Sequence, residues 1–313
     1  MRFFIELRKL IFISLFIYLV IKLFFISGIP TDYIIQITLY SFIIVLASLG
    51  LNIIYGYTGQ FSLGHAAFYG IGAYCTAYLS KILGVETFYS LVPVVFLSGI
   101  FTAFIAYLIG GPILRLKDDF LAIATLGFGI LVRVFLDNSD RITETLGGSR
   151  GFVGINKITN LELSFFITVF FILITKNLID SRYGLFWRAI KNDELAVSSI
   201  GVNTFNAKLI AFIYGCFLAG IAGGLYAHLY TFLHPSNFDI LKSIDFLIIV
   251  IIGGMGSISG TIVAGLFWVF FIEGLRIVLP SEILEYRWVL IPIILILIMM
   301  LRPYGLMVKK EGY

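Results

Sequence analysis

GYTGQFSLGHAAFYGIGAY, residues 56–74, is the stretch whose reading decides the fold. It carries glycines at 56, 59, 64, 70 and 72 and the polar side chains Thr58, Gln60, Ser62 and His65, inside a very apolar chain. Glycine in a helix interior costs roughly 1 kcal/mol relative to alanine, so this run is a poor plain lipid anchor. It suits a place where backbones approach closely, where a helix starts or breaks, or where polar groups line a path. Ser62, Ala66 and Gly70 form a small-residue stripe at four-residue spacing, which fits helix packing. Gln60, Ser62 and His65, with Gly59 and Gly64 beside them, fit a lined path. Residue types alone leave both readings open.

Working outward, the whole chain is built for lipid. It is 60% hydrophobic and 13% charged, with a mean hydropathy of +1.03, whereas soluble domains carry about 25% charged residues. Its 313 residues leave room for about ten membrane segments of ~20 residues with short connections. The expected fold is therefore an all-α polytopic membrane protein, one transmembrane domain over 1–313, with some segments glycine-broken or re-entrant. The segments fall at 10–29, 33–55, 61–80, 88–110, 120–136, 163–179, 208–232, 244–252, 261–279 and 288–301. Arg2, Arg8 and Lys9 precede the first apolar run, but Lys22 interrupts it and no small-residue cleavage site follows. A first helix that stays attached fits better than a signal peptide.

The charges give an orientation. An even number of spans puts both termini on one side. With that side cytoplasmic, the inner links collect Arg115 and Lys117, then Arg182, Arg188, Lys191 and Lys208, then Arg302, Lys309 and Lys310, as the positive-inside rule requires. Cys75 and Cys216 both fall in apolar segments and show neither a metal site nor a disulfide framework. No basic stripe with interleaved aromatics suggests nucleic acid. Catalytic and phosphate-cradling motifs are missing, so if the chain moves a solute against a gradient, nucleotide hydrolysis must come from another polypeptide.

Residues 180–207 form the most hydrophilic link. Phe186, Ile190 and Val197 share roughly one face at helical spacing. Asn192 or Asp193 suits the N-cap of a short helix from Glu194, with Gly201 as its C-terminal stop. Such a segment fits either a surface-lying amphipathic helix or a helix docked into a cytoplasmic partner. Lys22, Arg133, His228 and the pair Glu273/Arg276 lie toward span ends, where snorkelling or a local ion pair accounts for them. The spacing of Gly56, Gly59, Ser62 and Gly64 is echoed by Gly253, Gly256, Ser259 and Gly260, as a two-repeat transporter or chance would both produce.

Three places resemble the inner-membrane permeases of branched-chain amino acid ABC importers, specifically the LivM-type subunit. They are LNIIYGYTGQFSLGHAAFYGIGAY (51–74), TLGGSRGFVGI (145–155), and SRYGLFWRAIKNDELAVSSIGVN (181–203) followed by FLAGIAGGLYAH (217–228) and IIGGMGSISGTIVAG (251–265). RPYGLM (302–307) is similar to the family's usual ending. The resemblance implies a non-enzymatic permease in a bacterial or archaeal cytoplasmic membrane, both termini inside, binding no cofactor of its own. Its implied partners are ABC ATPase subunits that use ATP, a second homologous permease subunit, membrane lipid, and a periplasmic or lipid-anchored solute-binding protein. Arg188, Asp193, Glu194, Ala196 and Gly201 would belong to the loop that couples to the ATPase. Leu195 replaces the first alanine of the family's E-A-A pattern, and Gly201 stands one residue late. Permeases for urea and short amides share the glycine-rich motifs, and an ion-coupled carrier or channel would lack the ATPase loop.

Overall fold

In the computed structural model, residues 2–28, 30–116, 118–278, 293, 296, 300 and 305–307 are described. Eleven α-helices carry these residues: α1 Arg2–Ile26, α2 Asp32–Leu51, α3 His65–Ile82, α4 Phe88–Ile113, α5 Asp118–Asp137, α6 Leu161–Asp180, α7 Arg182–Asn192, α8 Glu194–Ser199, α9 Thr204–Tyr230, α10 Ile240–Gly253 and α11 Ile258–Val278. The only strand-like pairing among the described residues is one antiparallel bridge, Phe152 with Leu233. The all-helical expectation holds.

Six stretches are long and apolar enough to cross a membrane: Asp32–Tyr57, Phe88–Ile113, Phe120–Asp137, Leu161–Asp180, Thr204–Tyr230 and Ile258–Ile277. This is a multi-pass membrane protein, with six such spans among the described residues against the ten segments expected. For α1, the apolar stretch among the residues whose side chains are described is Phe12–Ile26, and the expected segment begins before it, at 10. The expected segment at 61–80 is helical only from His65, and its glycines and polar residues lower its hydropathy. The segment at 244–252 belongs to the 14-residue α10, which at 1.5 Å per residue is about 21 Å long, short of the ~30 Å hydrocarbon core. The segment at 288–301 lies outside the described residues apart from 293, 296 and 300.

α9 is the central post, packed against α2, α3 and α4. Without water in the bilayer, helices associate through close van der Waals fit, which small residues permit. The α3–α9 crossing shows why glycine is needed: a Cβ on Gly72 would meet the Gly220 carbonyl, and one on Gly223 would meet the Tyr69 carbonyl. Packing therefore accounts for the helical half of the opening stretch, Gly70 lying against the Phe238 side chain. Lys22 does more than reach for the interface, pairing across helices with Glu162 at 3.2 Å. Glu273 and Arg276 pair on one helix face at 3.7 Å as expected, and the Tyr33 hydroxyl donates to Glu273 at 2.6 Å.

Candidate functional site

The glycine-rich stretch breaks a helix. α2 continues as a π-helical turn, Asn52–Tyr57, a widened geometry that recurs at functional sites. Gly59 then takes φ +75°, the left-handed conformation that ends helices, and its N–H donates to the Tyr55 carbonyl at 3.0 Å. Residues 58–64 return along α2 as irregular chain, and α3 starts at His65, whose Nε2 lies 2.9 Å from the Ala47 carbonyl. Facing an acceptor, that nitrogen must carry the proton.

The expected path residues are thus held at two levels. Gln60 Nε2 donates to Thr58 Oγ1 at 2.7 Å and to the Lys208 carbonyl at 3.2 Å, at the start of α9. The Gln60 N–H donates to the Ile54 carbonyl, seven residues from Ala47 and so about 10 Å along α2. His65 sits at the deeper level, its ring edge-on to Phe246 at 5.7 Å between centroids. Gln60, Ser62 and His65 are all buried in this conformation. Ser62 Oγ, Gln60 Oε1 and His65 Nδ1 have no partner among the described residues.

Three anchors carried no sequence signal. Asn52, fully buried, donates from Nδ2 to the Ser257 carbonyl at 3.1 Å and accepts from the Gly256 N–H at 2.9 Å. The two glycine turns that echo one another in sequence are therefore neighbours in space, Gly56 lying against Gly256. At the start of α3, Thr125 Oγ1 accepts from the Leu63 N–H at 3.1 Å and Ser243 Oγ from the Ala66 N–H at 3.0 Å. These hydroxyls satisfy helix-start donors that water cannot reach.

The 180–207 link folds back onto the same break. Ser181 caps α7, Asp193 caps α8 by accepting from the Ala196 N–H at 3.0 Å, and Gly201 takes φ +84° after it; the cap and stop read from sequence hold. The buried face differs from expectation. Trp187, Ile190 and Val197 are buried while Phe186 is only half-buried, because the Trp187 indole N–H reaches the Ala207 carbonyl at 2.9 Å. Arg188 Nη2 donates to the Ile179 carbonyl at 3.0 Å, and Glu194 pairs with Lys208. Lys191 Nζ donates to the Gly56 carbonyl at 2.6 Å, with desolvation holding its ammonium below the ordinary lysine value. Ala196 is exposed, as are Leu195 and Ile200, each at 76%. Among the described residues no group of three or more His, Cys, Asp or Glu could hold a metal ion.

A family model described as the permease component of the branched-chain amino acid transport system matches residues 33–300. The chain is 31% identical over 334 residues to the high-affinity branched-chain amino acid transport system permease protein LivM of Escherichia coli K12, spanning 96% of this chain and 75% of that one. It is 26% identical over 294 residues to the LivH permease protein of Salmonella typhimurium LT2, spanning 85% and 91%. To a probable LivH of Methanocaldococcus jannaschii it is 26% identical over 293 residues, spanning 86% and 89%. No solved structure matches the chain.

Proposed function

Because this chain belongs to the family of permease components of branched-chain amino acid transport systems, we propose that it is a membrane subunit of an ATP-driven importer of leucine, isoleucine and valine. It pairs with a second, similar permease subunit in the cytoplasmic membrane, with both termini inside. An extracytoplasmic binding protein delivers the solute, and separate ATPase chains dock on the α7–α8 hairpin. Leu195 and Ile200 are the contact points, with Arg188, Asp193, Glu194, Ala196 and Gly201 shaping the hairpin.

The observation that carries this reading is the bond from Lys191 to the Gly56 carbonyl. It joins the hairpin directly to the break that precedes His65. A push on α7 is delivered to the π-turn, and through it to the polar residues Gln60, Ser62 and His65 that line the path when it opens. Buried now, they are the closed state's plug. ATP can drive the cycle only if its binding differs in free energy between the outward- and inward-open arrangements, and a hairpin stapled to the break meets that requirement.

The test is uptake into proteoliposomes holding the complete importer, with and without internal ATP. ATP-dependent leucine accumulation is expected, lost together with ATPase co-purification when Leu195 and Ile200 are both changed to Glu. Uptake of urea or acetamide but not leucine would refute the substrate assignment. Accumulation by this chain without an ATPase would refute the mechanism.

A further inference from the structure

α3 and α10 both begin inside the molecule rather than at its ends, and their starts meet: the Ala66 N–H bonds Ser243 of α10. Beside this junction lies a cavity of about 70 Å³, partly open, bounded by α5 on its third side. Leu63, Ala67, Leu126 and Ile130 make its wall apolar, and two charged residues also line it, Arg133 from α5 and Asp239 from the start of α10. Asp239 Oδ1 caps α10 by accepting from the Leu241 N–H at 3.0 Å, while Oδ2 stands 3.5 Å from Arg133 Nη1. The second carboxylate near this guanidinium, Asp137, is 3.9 Å from Nε. Both separations exceed the 2.7–2.9 Å of a tight charged hydrogen bond. Arg133 therefore keeps most of its five donors for another acceptor.

We infer that Arg133 and Asp239 receive the α-carboxylate and α-ammonium of the transported amino acid at this junction. The inference rests on the import reading above and deepens it by naming how the solute is recognised. An opposite pair of charges loosely joined, at the mouth of an apolar cavity, matches a zwitterion with an aliphatic side chain. Urea and short amides, which carry no charge, would gain hydrogen bonds but no ion pairing from it. One water needs about 10–15 Å³ of such space, so the cavity of about 70 Å³ takes about five heavy atoms. That is room for the aliphatic side chain of leucine, with the charged head group left beside Arg133 and Asp239. α3 starts beside the cavity, and its dipole adds to the field that favours a carboxylate here.

The experiment is leucine uptake by the complete importer in proteoliposomes carrying Arg133→Gln, Arg133→Lys or Asp239→Asn, the last preserving the helix cap. Arg133→Gln and Asp239→Asn are each expected to slow uptake about tenfold or more. Arg133→Lys, which keeps a cation for the carboxylate, should recover to within about threefold of wild type. The melting midpoint of each complex should stay within about 2 °C of wild type. Uptake above half of wild type in either neutralised variant would overturn the inference. A lowered midpoint with no recovery by lysine would also overturn it, making the pair a mere tie between α5 and α10; if Arg133→Gln fails to assemble, Asp239→Asn and Arg133→Lys decide. A wild-type importer that moves no leucine would refute the import reading instead, so the two failures are separable.

Discussion

Replacing Asn52 with alanine should loosen the turn between α10 and α11 more than anything else in the molecule. The side chain is fully buried and its amide makes two bonds to that turn. The two are not equal in value. The Ser257 carbonyl also accepts from the Thr261 hydroxyl at 2.9 Å and the Thr261 N–H at 3.1 Å, so it stays satisfied when the amide is gone. The Gly256 N–H has the Asn52 oxygen as its acceptor, and burying an orphaned donor costs about 1–3 kcal/mol. Since about 1.4 kcal/mol is tenfold, local opening should become roughly five- to a hundredfold more frequent. Hydrogen–deuterium exchange of the purified protein in detergent reads this directly, in peptides covering 252–258. Exchange there should accelerate by that factor while the α3–α9 crossing keeps its protection. Unchanged exchange at Gly256, or acceleration spread evenly over all helices, would refute the idea that this amide holds the two glycine turns together.

Lys191→Met removes the hairpin's bond to the Gly56 carbonyl. A charged hydrogen bond is worth about 1.5–3 kcal/mol when desolvated, and the partial exposure of Lys191 reduces this to about 1 kcal/mol. Leucine moved per ATP in the reconstituted importer should fall roughly fivefold, with Lys191→Arg retaining more than half; unchanged coupling would show the bond transmits nothing. Gly72→Val drives a branched side chain into the Gly220 carbonyl and should lower the melting midpoint, since overpacking costs about 1–3 kcal/mol. Gly111→Ala is its counterpart: nothing lies within 4 Å of the added Cβ, and the midpoint should hold or rise, alanine being the better helix former by up to about 1 kcal/mol. Equal effects of the two substitutions would show that close approach is not what glycine serves at 72.

Hydropathy made the all-helical membrane fold legible, because lipid forces backbone groups into helices and that demand is written in composition. Local chemistry was legible too: the Asp193 cap, the Gly201 stop and the Glu273/Arg276 pair each depend on neighbours within one turn. Contacts between distant segments were not. Asn52 lies in an apolar run with no period to mark it, and Thr125 and Ser243 are single hydroxyls of a kind common in helices. The same holds for Lys242, just before the segment expected at 244–252, and Asp245 at its start. They lie in α10, where Lys242 Nζ donates to the Tyr40 hydroxyl at 2.6 Å and to Asp245 at 3.2 Å. Their i,i+3 spacing was the available signal. The echo between the two glycine turns was visible, but that it marks a contact depends on the fold of everything between them.

What the echo misses, the helices themselves supply. α2 and α9 are two of the longest apolar stretches, and each is followed by non-helical chain that turns back along the molecule before a helix begins. After α2 that chain is 58–64 and the helix is α3; after α9 it runs from 231 to Asp239, with a short 3₁₀ turn at Pro235–Phe238, and the helix is α10. α3 starts beside Ala47, part-way along α2, and α10 starts beside Ala66. From that shared level the two helices run in opposite directions, α10 toward the Gly253–Ser257 turn at the C-terminal end of α2 and α3 away from it. Broken helices that meet at mid-depth are where transporters of other folds bind their solutes, since helix starts and freed backbone groups provide polarity that lipid-facing helices cannot. Here the requirement is sharper, because the donors at the start of α3 are already taken by Thr125 and Ser243. The junction's remaining capacity for a charged solute therefore resides in side chains, and the two charged ones lining its cavity are Arg133 and Asp239.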